Sequence, residues 1–94
     1  MAQIVNNGAK QRYELHQDGA LAIAAYERRG KMIVFTHTVV PGALQGKGIA
    51  SRLIKHALDD VRAQGLTIVP QCEFVAAYLD RHPEERDLLA PDAR

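Results

Sequence analysis

Alternating apolar and polar positions dominate the first 40 residues of the chain and predict three β-strands. In the first strand, Tyr13 and Leu15 share one face while charged or polar residues occupy the other. The pair Asp18-Gly19 is a tight-turn signal, and residues 20–28 continue in extended form. After a second turn, residues 31–40 are β-branched, aromatic and apolar enough for an interior strand. Short turns between these strands predict an antiparallel meander.

A helical period replaces the alternation in the second half of the chain. Apolar residues recur at three- and four-residue spacing from Ile49 to Val61, which is typical of an amphipathic helix with one buried face. Gly65 is a candidate cap for the end of that helix. Residues 66–69 predict a short buried strand, and residues 72–81 predict a second helix.

The predicted order of elements is β-β-β-α-β-α, and this order determines how the last strand pairs. A strand–helix–strand connection returns to its sheet as a right-handed crossover, so residues 66–69 should lie parallel to residues 31–40. The expected fold class is α+β, with a mixed, mostly antiparallel β-sheet covered by two helices. Beyond the second helix, we expect residues 84–87 to form a solvated charged face and residues 90–94 to form a frayed tail.

Composition and charge narrow the class of protein. The chain has 94 residues, 47% hydrophobic and 24% charged, which predicts one globular domain over residues 1–94. No apolar run reaches the roughly 20 residues that span a bilayer, and the first residues do not resemble a signal peptide, so we expect a cytoplasmic protein with no membrane partner. A net charge of +1 without a basic stripe argues against a nucleic-acid partner. The single cysteine excludes an intrachain disulfide and a cysteine-based zinc site, and we predict no metal site.

The stretch with the clearest chemistry is the loop between the third strand and the first helix, residues 45–50. Backbone N–H groups are free at the start of a helix, and the helix dipole adds positive charge there, so such a junction binds phosphate or pyrophosphate. Gly46 and Gly48 let the backbone approach an anion, and Lys47 adds a mobile charge. The alternative is an ordinary helix start in which the glycines only form the turn. The Walker and dinucleotide-binding patterns do not fit this spacing.

A different pattern fits the loop and its surroundings. Gln45-x-x-Gly48-x-Ala50 matches the Q/R-x-x-G-x-G/A pyrophosphate loop of the GNAT acetyltransferase superfamily. Further matching stretches are His37-Thr38-Val39-Val40-Pro41, Gly46-Lys47-Gly48-Ile49-Ala50, Pro70-Gln71-Cys72-Glu73-Phe74-Val75, Tyr78 and His82-Pro83. Over residues 10–89 the chain resembles a family of very small, single-domain GNAT-like proteins.

The resemblance implies acetyl-CoA or CoA as the cofactor. It implies that the backbone of the third strand pairs with the pantetheine arm, through Thr38, Val39 and Val40. It also implies that a loop holds the pyrophosphate, formed by Gln45, Gly46, Lys47, Gly48, Ile49 and Ala50. Larger GNAT enzymes usually have more N-terminal helix and a further strand pair, which build the acceptor site. We expect both parts to be missing or vestigial here, so the acceptor stays an unknown amine or protein.

Three residues are candidates for catalysis, and each has a structural alternative. Cys72, at the start of a helix, takes the acetyl group or positions the thioester; otherwise it is a small buried hydrophobic residue. His37 is a general base; otherwise it is a core or surface histidine. Tyr78 protonates the departing CoA thiolate, as a tyrosine often does in this family; otherwise it is a core aromatic. Arg81 and His82 either cap their helix or contact the cofactor's nucleotide.

The leading functional hypothesis is an acetyl-CoA-dependent acyltransferase, an N-acetyltransferase of unknown acceptor. The sequence leaves open whether the acetyl group passes directly or through Cys72. The alternative is a non-catalytic module with a GNAT-like fold, for CoA binding or protein interaction.

Overall fold

A computed structural model describes residues 3–91 as a five-stranded sheet with two α-helices. The strands are β1 (Gln3–Asn7), β2 (Arg12–Gln17), β3 (Ala20–Arg29), β4 (Met32–Val39) and β5 (Thr67–Pro70), and the helices are α1 (Ile49–Ala63) and α2 (Glu73–Arg81). The strands lie side by side in chain order; the first three pairings are antiparallel, and β4 and β5 are parallel. The predicted fold class and the parallel position of the last strand are confirmed.

The predicted element order was incomplete because it omitted β1. The observed order is β-β-β-β-α-β-α. The two apolar residues of β1, Ile4 and Val5, are adjacent, so the segment lacks the alternation that predicted the other strands. Its place is set by pairing with β2, where Ile4 lies opposite Leu15 and packs against the core.

Local turn chemistry agrees with the prediction at two places. Asp18 and Gly19 have φ of 52° and 75°, the left-handed region that a two-residue type I′ hairpin turn requires at both positions. At the end of α1, Gly65 has φ of 70° and donates its N–H to the carbonyl of Arg62. The N–H of Leu66 reaches the carbonyl of Val61, which completes a Schellman cap.

The hydrophobic core lies between one face of the sheet and both helices. The largest side chains there are less than 2% exposed; they include Tyr13, Leu15, Phe35, Leu53, Ile54 and Leu58. Burial of each such side chain contributes about 1.5–3 kcal/mol relative to exposure, which explains why the apolar stripe of α1 decides its orientation. Among the described residues no helix covers the other face of the sheet, where Val39 is 49% exposed.

The end of the chain is better packed than the sequence predicts. A 3-10 helix spans Pro83–Leu88, and Leu89 then forms a parallel bridge with Ile68. The N–H of Ala90 donates to the Ile68 carbonyl at 2.8 Å, and Ala90 is buried. The predicted fraying is therefore wrong for Ala90, while residues 92–94 lie outside the described part of the chain.

The predicted solvated face at residues 84–87 is wrong for Glu85, which is 4% exposed. Its carboxylate accepts hydrogen bonds from Lys55 Nζ at 3.2 Å and from Arg62 Nη2 at 3.0 Å. Arg62 also pairs with Asp87 at 2.6 Å. This ion-pair cluster ties the C-terminal segment to the solvent side of α1, and the charges of the two cations make the burial of Glu85 tolerable.

Over residues 3–91, neither helix is long and apolar enough to cross a membrane.

Candidate active site

A β-bulge in β4 decides which side chains reach the helix side of the sheet. Ala24 lies opposite Thr38 and Tyr26 lies opposite Phe35, so β4 has one more residue than β3 between these pairs. Ala24, Tyr26 and Phe35 all belong to the core, and the bulge therefore brings Thr38 to the helix side. His37 lies opposite Ala25, on the other face, and its side chain is exposed.

The parallel strands β4 and β5 separate next to this bulge. Their pairing ends where Phe35 lies opposite Pro70, and the last contact is the N–H of Cys72, which donates to the Phe35 carbonyl at 2.9 Å. From there β4 continues to Val39 with only β3 as its partner. The edge of β4 after Phe35 therefore faces a gap rather than a strand.

The connection from β4 to α1 folds into a glycine loop. The buried side chain of Leu44 anchors it to the core, and Gln45 Nε2 donates to the Val40 carbonyl at 3.1 Å. Gly46 and Gly48 have φ of 77° and 70°, a conformation that is costly for residues with a Cβ. The loop shape thus depends on these two glycines.

Helix α1 begins without a side-chain cap. Gly48 occupies the N-cap position and has no side chain to accept hydrogen bonds from the first turn. The first intrahelical bond runs from the Arg52 N–H to the Gly48 carbonyl at 3.2 Å. The preceding N–H groups of the helix are therefore donors available to a ligand, at the positive end of the helix dipole.

The gap and the glycine loop border one cavity of about 600 Å³. Its lining residues are Thr38, Val39, Val40, Leu44, Gln45, Gly46, Gly48, Ile49, Ala50, Ser51, Phe74 and Arg81. All the residues predicted to bind the cofactor line it except Lys47. The Lys47 Nζ lies instead 3.7 Å from Asp18 in the β2–β3 turn.

Sequence reasoning did not assign Phe74 to this site and offered Arg81 only as one of two possibilities. Both belong to α2, which forms the wall opposite the glycine loop. They are seven residues apart, which is two helical turns, so they lie on the same side of α2. That spacing was the available signal, but only the packing of α2 beside β4 reveals that this side faces the cavity.

Cys72 is the N-cap residue of α2 and is 7% exposed. Its Sγ does not cap the helix; it lies 3.3 Å from the Thr38 Oγ1, within hydrogen-bond distance. Thr38 lines the cavity and Cys72 does not. The thiol therefore lies behind the threonine hydroxyl, in the wall of the cavity.

Tyr78 is 4% exposed and stacks on His82, with ring centroids 4.2 Å apart. Burial, followed by the negative charge of Glu85, raises the pKa of Tyr78, so its hydroxyl stays protonated at neutral pH. The ring borders a second hollow of about 440 Å³ on the surface of α1, and this hollow adjoins the first cavity at Ser51. His37 lines neither of them, and its Nδ1 lies 3.3 Å from the Thr36 Oγ1.

The fold is similar to a solved structure. The solution structure of a GCN5-like protein from Staphylococcus aureus aligns with a TM-score of 0.73, covering 94% of this chain and 87% of that one. At 24% sequence identity, this likeness concerns the fold alone.

Sequence comparison finds relatives and a family. The chain is 41% identical over 63 residues to Protein NATD1 from Gallus gallus, Mus musculus and Homo sapiens. The match covers 66% of this chain and 57% of the chicken and mouse proteins, so it spans little more than half of their length. Residues 12–88 match the family model of the GCN5-related N-acetyl-transferase. This match covers most of the chain, and the fold agrees with it. The chain therefore belongs to the GCN5-related N-acetyltransferase family.

Proposed function

We propose that this chain is an acetyl-CoA-dependent N-acetyltransferase whose acceptor is an amine of a small molecule or a protein. The observation that carries the proposal is the cavity of about 600 Å³ between the glycine loop, the uncapped first turn of α1 and the edge of β4. Membership of the family supports the same activity.

Different walls of the cavity suit different chemical groups of CoA. The N–H groups of the glycine loop and of the first turn of α1 suit a pyrophosphate, because they present several donors and the positive end of a dipole. The edge of β4 suits the amide-containing arm, because its backbone groups after Phe35 have no partner on β5. Acetyl-CoA, when bound, supplies an acetyl group activated as a thioester.

Three side chains of the protein carry the proposed chemistry. Cys72 acts as the nucleophile of a relay or positions the reacting group, with its sulfur held at the Thr38 hydroxyl. Tyr78 acts as a proton donor through its hydroxyl, which is protonated at neutral pH. His37 acts as the base for an acceptor that approaches from the open face of the sheet. Direct transfer with His37 and a relay through Cys72 both remain routes within this proposal.

A second candidate is a non-catalytic CoA-binding module. One observation favours it: none of Cys72, Tyr78 and His37 lines the cavity that suits the cofactor. In that case the three side chains are structural, and the protein binds CoA without turnover.

Mass spectrometry of the purified protein with acetyl-CoA distinguishes the two candidates. For the transferase we expect CoA to stay bound under native conditions and acetyl-CoA to be hydrolysed slowly or to acetylate the protein. In the relay route the acetyl group is found on Cys72, and Cys72→Ser abolishes this adduct without changing CoA affinity in calorimetry. Tight binding with neither hydrolysis nor acetylation favours the module, and absence of binding contradicts both.

A further inference from the structure

One cationic side chain, that of Arg81, lies in the cavity wall. Arg81 lines the cavity from α2, and no ion pair joins it to another residue within 3–91. Arg12, Arg62 and Arg86, by contrast, each pair with a carboxylate. An unpaired guanidinium facing the glycine loop across a cavity favours an anionic ligand.

The charge lies at one end of the cavity. Arg81 ends α2, whereas Cys72 precedes its first residue, so the helix of nine residues separates them by roughly 13 Å at 1.5 Å per residue. Ser51 belongs both to this cavity and to the adjoining hollow, where Arg52 adds a second cation without an ion pair among the described residues. The hollow also contains Asp59, whose carboxylate is paired with Lys55 at 3.0 Å.

We propose that Arg81 forms a second phosphate subsite, for a phosphate monoester separate from the pyrophosphate held by the glycine loop. The inference rests on the proposed function, because in CoA the 3′-phosphate of the ribose is such a group. Arginine binds phosphate through two parallel N–H···O bonds, which a lysine cannot reproduce. Arg81 therefore determines specificity for 3′-phosphorylated CoA over dephospho-CoA.

Isothermal titration calorimetry with CoA and with dephospho-CoA tests the subsite without requiring any activity. We expect wild type to bind CoA about tenfold more tightly than dephospho-CoA, since hydrogen bonds to charged groups contribute on that scale. Arg81→Gln should remove this preference by weakening CoA binding alone, and Arg81→Lys should recover part of it. Arg28→Gln, which also removes one positive charge but lies in the β3–β4 hairpin, should keep the full preference.

Three results overturn the subsite. They are equal affinity of wild type for both ligands, an equal loss for both ligands in Arg81→Gln, and a loss of preference in Arg28→Gln. In all three results the wild type still binds CoA, so they contradict the role of Arg81 and not the proposed function. If wild type binds neither ligand, the proposed function fails as well.

Discussion

At the scale of single residues, Thr36 shapes the site although it does not line the cavity. It is the extra residue of the β4 bulge, and its Oγ1 donates to the Ala25 carbonyl at 3.3 Å. In a regular strand without the bulge, alternation from Phe35 would turn His37 towards the helices and Thr38 away from them. Because the bulge lacks a glycine or any other local signal, the sequence did not predict which of the two residues meets the cavity.

The contact between Thr38 and Cys72 predicts a change in thiol reactivity. A thiolate carries no proton, so with an ionised sulfur the Thr38 hydroxyl must donate, and such charge-assisted bonds are strong. Thr38→Val should slow the alkylation of Cys72 by iodoacetamide about tenfold at neutral pH, and Thr38→Ser should restore the rate.

The alkylation rate is followed by mass spectrometry, and the single cysteine makes the product unambiguous. Thr67→Val is the matched control, because it removes a hydroxyl that contacts the Lys31 carbonyl at the other end of the β4–β5 pairing and does not contact sulfur. Equal rates in wild type and Thr38→Val would show that the hydroxyl has no such role. A thiol that reacts only after denaturation would mark Cys72 as a core residue.

At the scale of elements, the two ends of α1 have the same backbone requirement and different tasks. Gly48 before the helix and Gly65 after it both have φ of 70°, and a Cβ built on either one meets no atom within 4 Å. The sequence predicted both ends, since glycine next to an amphipathic stripe is a strong boundary signal. Only Gly48 borders the cavity.

Paired valine substitutions separate the two tasks. Gly48→Val and Gly65→Val should each lower the free energy of unfolding by about 1–2 kcal/mol, because both force a side chain into the left-handed region. Only Gly48→Val should also weaken CoA binding, since its branched side chain stands where the ligand meets the backbone. Urea denaturation and calorimetry measure the two effects. Unchanged CoA affinity in folded Gly48→Val would contradict this position for the pyrophosphate.

The ion-pair cluster of Lys55, Arg62, Glu85 and Asp87 holds the C-terminal 3-10 helix against α1. Glu85→Gln should lower the free energy of unfolding by about 1–3 kcal/mol, because it removes the buried negative charge between Lys55 and Arg62 and turns an NH2 group towards one of these two cations. Glu84→Gln is the control, since Glu84 is exposed and its carboxylate pairs with His82, which lies outside the cluster. Urea denaturation measures both, and equal stability of the two variants would mean that the cluster is dispensable.

At the scale of the whole molecule, the sequence predicted what depends on local pattern and missed what depends on distant pairing. The stripe of α1 and the crossover rule were enough for the layers and for the parallel position of β5. By contrast, β1 acquires its place from β2, and the bridge between Ile68 and Leu89 joins residues 21 positions apart. The loop residues of the site were predictable because they are consecutive, whereas Arg81 meets them only through the tertiary fold.

The cavity joins two parts of the chain that differ in how they are held. One wall is β4, the last strand of the antiparallel meander. The other wall is α2, which follows α1 and β5 in the chain. A ligand bound between them disfavours every partial opening that separates α2 from β4, and at a hundred times its dissociation constant it adds about 2.7 kcal/mol against such opening. Amide hydrogens of α2 and β5 should therefore exchange with solvent more slowly in the complex, while those of the edge strand β1 exchange as before.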